Sequence, residues 1–149
     1  VSMSSRQIAD RAATLVLSEP NTATAGLRLK NMISGMDEWT RTQFFEIFAE
    51  RGGNTAILSW AGLNNDMKDY LHNTRESLKE ARRIAAEATQ YEDKTDIGAF
   101  LDNVPEENQK LISKVLEEII STTENATLAE GCRLSGVPEF QKLAEPKKL

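Results

Sequence analysis

The sequence predicts an all-α protein, a single-domain helical bundle of about five main helices with one long central amphipathic helix. Three observations point there. Asn64 to Tyr91 contains no Gly or Pro and reads as about seven turns of helix. Ala, Leu, Glu, Lys and Arg dominate the long segments, whereas alternating β-branched runs are nearly absent. The segments between are short and carry the Gly, Pro and Asn residues that end helices.

Ser4 or Ser5 can cap a first helix running to about Leu17, with Ile8, Ala12, Leu15 and Val16 on its inner side. Ser18 to Asn21, which includes Pro20, breaks it. A second helix is expected from Thr22 to Met36, carrying Ala25, Leu29, Met32, Ile33 and Met36 at helical spacing. Gly26 and Gly35 weaken its two ends. Asp37 suits the N-cap of a third helix, Glu38 to Arg51, which holds Trp39, Phe44, Phe45, Ile47 and Phe48. So many bulky groups cannot share one side of a helix. The segment is either buried on two faces or leaves part of an aromatic patch for a partner.

Gly52-Gly53 ends that helix, with the second Gly or Asn54 free to take a positive φ. Asn54 can cap a short helix, Thr55 to Gly62, carrying Ile57, Leu58 and Trp60. Gly62 and Asn64-Asn65 are candidate interruptions before the long helix, with Asn65 or Asp66 as a new cap. On that helix Leu63, Met67, Tyr70, Thr74, Leu78, Ala81, Ala85 and Ala88 form one apolar stripe. Lys68, His72, Arg75, Lys79, Arg82 and Arg83 flank it on one side, and Asp69, Glu76, Glu80 and Glu87 on the other. Tyr91 to Thr95 reads as a polar hinge and Asp96 to Leu101 as a short turn. Pro105, followed by Glu106 and Glu107, marks the clearest helix start. Its apolar face, Leu111, Ile112, Val115, Leu116, Ile119 and Ile120, is expected to be core up to about Ala129, with Gly131 as terminator. A short helix opening at Pro138 follows. The domain is expected to span residues 1–145, with 146–149 as a frayed tail.

Phe44 to Leu58, FFEIFAERGGNTAIL, resembles the helix–Gly-Gly–helix joint of armadillo-type repeats, including those of formin regulatory regions. The likeness is confined to those residues, because the charged helix 64–91 is too long to continue the repeat. No functional residue carries across from it.

Composition narrows the function classes. The chain is 40% hydrophobic and 28% charged, which is ordinary for a globular protein and excludes wholesale disorder. Its net charge is −5, and the whole excess lies in residues 92–149, where seven basic residues face twelve acidic ones. Such a balance argues against a general nucleic-acid binder, which needs concentrated Lys and Arg. With Cys132 as the single cysteine, no intramolecular disulfide forms, and a reducing, cytoplasmic location is expected. No apolar run is long enough to span a membrane, and no segment reads as a signal peptide. Val1-Ser2-Met3 reads as extra residues ahead of a start Met, or as a cut from a longer chain. Asn125-Ala126-Thr127 matches a glycosylation pattern but falls in or at the end of a helical stretch, so it is read as chance.

Site chemistry is sparse. His72 has Asp69 and Glu76 at helical spacing, yet a metal site in a bundle draws ligands from several helices and this chain has one His. Cys132 beside Arg133 could have a lowered pKa, but its surroundings match no nucleophile context. The pairs Glu46 with Glu50 and Glu76 with Glu80 read as solvated surface. No catalytic, cofactor-binding or metal residue is therefore assigned, and no small-molecule ligand is expected. What remains is a non-enzymatic interaction, regulatory or adaptor module, with a protein partner or self-association as its mode. The candidate partner-binding residues are Lys68, Arg75, Lys79, Arg82 and Arg83, together with Trp39, Phe45 and Trp60. The alternative is a nucleic-acid-associated helical protein using the basic edge.

Overall fold

The structure, a computed structural model, describes residues 3–144, and every regular element among them is helical. The predicted tail 146–149 lies outside the described residues. Backbone contacts divide the chain into two compact units between Arg75 and Glu76.

The first unit holds α1 (Ser5–Ser18), α2 (Thr22–Ile33), α3 (Glu38–Glu50), α4 (Thr55–Ala61) and α5 (Asn64–Asp69), followed by a π turn at Tyr70–Thr74. Side-chain caps start four of these helices, because each initial N–H group needs an acceptor that the helix itself lacks. Ser4 accepts from Gln7 N while Gln7 answers Ser4 N, forming a capping box. Asn21, Asp37 and Asn54 accept from Thr24, Thr40 and Ala56. α5 has no such cap: neither Asn65 nor Asp66 fills that role, and Leu63 occupies the position. Gly62 ends α4 at φ +72°. At the double glycine it is Gly52, not Gly53 or Asn54, that adopts positive φ. Gly53 instead lies against the Phe48 ring, where a Cβ would overlap it.

α1 packs on α3 and α2, while α2 packs on α4. The inner face of α1 is Ala9, Ala12, Ala13 and Val16, leaving Ile8 and Leu15 outside, which corrects the expected face. Both stripes have helical spacing and share Ala12 and Val16. Packing selected the small-residue one, which lets helix backbones approach closely. α3 is buried continuously from Gln43 to Phe48, so its aromatic segment is inside on two faces. Gly26 lies within α2, not at its end, and meets α4: a Cβ there would overlap Trp60 Cβ and sit 2.9 Å from Ile57 O.

The second unit holds α6 (Arg75–Thr89, opening at the boundary), α7 (Lys94–Asp102), α8 (Gln109–Thr123), α9 (Ala126–Leu134) and α10 (Pro138–Gln141). Short 3-10 turns occupy Glu106–Asn108 and Lys142–Ala144. "About five main helices" undercounts this chain, and two interruptions account for most of the difference. The long helix stays helical from Asn64 to Thr89 but is subdivided by the π turn, in which Arg75 N donates to Tyr70 O. The helix expected to reach Ala129 stops at Thr123, and Glu124 turns back at φ +52°. Thr122 and Thr123 hydroxyls donate to the carbonyls of Glu118 and Ile119, competing with the helix ladder. Asn125 then accepts from Leu128 N and starts α9, so the glycosylation-like pattern falls on an occupied cap. Of the expected α8 face, Ile112, Val115 and Leu116 are buried, whereas Leu111, Ile119 and Ile120 are only half-buried. Gly131 does not terminate a helix. It sits inside α9 at the crossing with α7, beside Gly98 and under Ile97.

Candidate protein interface

Among the described residues Trp60 is the most exposed of the large apolar side chains, at 55%. Its position follows from α4. Ile57, Leu58 and Ala61 form the buried face, and Gly26 admits the Trp60 Cβ at the α2 crossing, so the ring extends past the contact. Leu27, the next residue on α2, is 53% exposed. A Trp fixed at its base with an accessible ring is the kind of anchor that dominates protein interfaces.

The other aromatic candidates are placed differently. Phe45 lies inside, 6% exposed, with its ring 5.7 Å from Phe44 in an edge-on contact and 6.2 Å from Tyr70. Trp39 is half-buried. Phe45 and Tyr70 also contribute to a cavity of about 360 Å³ edged by Glu38, Arg41, Asp66 and Asp69.

The basic residues are exposed apart from the half-buried Arg82. Lys79 pairs with Glu76 at 3.7 Å, and Arg83 pairs with Glu80 at 2.5 Å and Glu87 at 3.4 Å. The Arg83 hydrogen bond holds the Glu80 carboxyl below its ordinary range, and the same contact raises Arg83. Fully solvated pairs of this kind contribute little to stability. Lys68 and Arg75 make no ion pair among the described residues. Glu46, expected on the surface, is instead buried in α3 and paired with Arg6. A buried carboxylate without that partner would carry its full desolvation cost.

Cys132 is buried in α9, and desolvation pushes its thiol up to about 12. The expected lowering by Arg133 does not occur, because that guanidinium is exposed and bound to Glu130. Two outcomes are expected. The native thiol should resist DTNB at pH 8 and react fully in denaturant, since only the thiolate attacks. The folded pKa lies above the unfolded one, so the thiol's stabilising contribution is complete below about pH 9. As pH rises toward 12 it is lost at up to about 1.4 kcal/mol per pH unit. Urea unfolding of Cys132→Ala should therefore show a shallower alkaline decline than the parent, and identical declines would contradict this.

His72 is exposed in the π turn, and no group of three or more His, Cys, Asp or Glu side chains is arranged to hold a metal among the described residues. No described helix is long and apolar enough to cross a membrane. An apolar groove at the outer side of α1, lined by Ile8 and Leu15, was not legible in the sequence, since those residues compete with the alanine stripe for the inner face. No family model, curated protein or solved structure matches the chain.

Proposed function

We propose that this chain is a non-enzymatic helical interaction module, an adaptor or regulatory domain that binds another protein, with self-association as a sub-case. The supporting observation is Trp60, whose Cβ lies against Gly26 while its ring is exposed; Leu27, which follows Gly26 in α2, is exposed as well. An exposed Trp anchored at its base is the kind of side chain that a partner protein covers. Arg75, Lys79, Arg82 and Arg83 supply charge for steering and orientation. The nucleic-acid alternative is the weaker reading, because Glu76, Glu80 and Glu87 already neutralise Lys79 and Arg83. The lone buried thiol accords with a reducing, cytoplasmic setting.

The test compares wild type, Trp60→Ala and the quadruple Arg75, Lys79, Arg82, Arg83 change to Gln. Circular dichroism, sedimentation velocity and quantitative affinity capture from native extract are the measurements. Both variants should keep the wild-type helical signal. Trp60→Ala should reduce association about tenfold or more, as loss of a hot-spot anchor does. The quadruple variant should lose more at low salt than at high salt. Unchanged capture by Trp60→Ala would exclude this face. Salt-steep binding of generic duplex DNA would favour the nucleic-acid alternative.

A further inference from the structure

On the outer side of the α1/α2 pair, Met3, Ile8, Leu15, Met32 and Met36 surround an open groove of about 250 Å³. Ile8 is 36% and Leu15 41% exposed, although both are large aliphatic groups on a helix whose buried face is mostly alanine. They are seven residues apart, which places them about 10 Å apart along one side of α1. Gly35 opens the other wall. An added Cβ there would meet nothing closer than Met32 O at 3.7 Å, an ordinary contact. Three methionines among the lining groups let the wall adjust to an incoming surface.

Arg11 is the single charged residue of the lining. It is exposed and has no ion pair among the described residues. The neighbouring carboxylate, Asp10, is engaged by Arg51. The groove therefore presents an aliphatic trough with one uncompensated cation, and the lining contains no acid. A twofold pairing of two copies whose axis passed at Arg11 would set that cation against its own copy, which is unfavourable.

We propose that this groove binds an amphipathic helix of a partner protein, one that presents aliphatic side chains at two-turn spacing and a carboxylate facing Arg11. Two turns of such a helix match the Ile8 to Leu15 distance, and the carboxylate supplies the missing charge. The inference rests on the reading of this chain as an interaction module and names the partner's chemistry at a face distinct from the Trp60 crossing.

The probe is a synthetic fluorescent helix of four turns with leucines along one face and one glutamate among them, compared with its glutamine twin. Fluorescence anisotropy should show saturable binding to the whole protein. The glutamine twin should bind about twofold to fivefold more weakly, and Arg11→Gln should abolish that difference. Gly35→Leu, which fills the groove without removing a contact, should weaken binding about tenfold, the loss expected when a central anchor pocket is blocked. The double variant Ile8→Glu, Leu15→Glu should weaken it at least as much. Both variants alter exposed positions, and circular dichroism checks that they fold. Absent saturable binding, unchanged affinity in Gly35→Leu, or equal affinity for the two peptides would each overturn the proposal. Sedimentation showing a wild-type dimer that Gly35→Leu dissociates would also overturn it, by assigning the groove to a second copy. Failure of the peptide with Trp60-dependent association intact would leave the interaction-module reading standing and remove only this groove.

Discussion

Phe44→Ala is expected to lower the stability of the unit it lies in by about 3–5 kcal/mol. Phe44 is fully buried in the middle of α3, with its ring 5.5 Å from Phe48 and 5.7 Å from Phe45. Truncation removes the transfer energy of the ring and its aromatic contacts with two neighbours, edge-on with Phe45 and tilted with Phe48, worth about 0.5–1.5 kcal/mol each. Collapse into the gap is restricted on one side, because Phe48 is itself set against Gly53. Leu27→Ala provides the control, since an exposed side chain should change stability by about 0.5 kcal/mol or less. Urea denaturation of the two variants decides the matter. A Phe44→Ala loss below about 1 kcal/mol would mean that α3 does not organise the core.

Gly131→Ala should be destabilising despite the gain in helix propensity. Alanine is favoured over glycine by about 1 kcal/mol inside a helix, so an exposed glycine in α9 would be improved by the change. At Gly131 the new Cβ would overlap Ile97, with Lys94 O only 3.2 Å away. Overpacking of this kind costs about 1–3 kcal/mol, and more when backbone must move. Steric overlap therefore outweighs propensity, and a net loss of up to about 2 kcal/mol is expected. Ile97→Ala alone should cost about 2–4 kcal/mol through the cavity it leaves. Combined with Gly131→Ala it should cost somewhat less than the sum, because truncation removes the overlap with Ile97 Cγ2 while Ile97 Cβ stays close. Strict additivity in this cycle would show that α7 and α9 do not meet at Gly131. A stabilising Gly131→Ala would mean that nothing crowds this position and that helix propensity alone decides the effect.

Local rules carried much of this architecture. Ser4, Asp37 and Asn54 are short polar side chains placed just before apolar periodic runs, and each accepts a backbone N–H at a helix start. Gly62 closes α4 in the left-handed conformation that a residue without Cβ adopts freely. Together with helix propensity along the long segments, these signals depend on neighbours within about one turn, so the sequence by itself determined the all-α class and the starts of α1 to α4. Among the candidate site residues, the ion pairing of Lys79 and Arg83 was equally legible, because their partners lie three or four residues away on the same helix. Competing signals of equal local strength were decided elsewhere. Two apolar stripes on α1 fit a helix equally well, and only the close approach of α3 turned the alanine stripe inward and left Ile8 and Leu15 facing out. Gly26 and Gly131 read locally as weak points or stops, whereas in the fold they are the places where a second helix comes too near for any side chain. Phe45 was buried and Trp60 exposed for the same reason. Which face of a helix is covered depends on the backbone that arrives from far along the chain, and that information is held in the packing of whole helices and not in the spacing of residues within one.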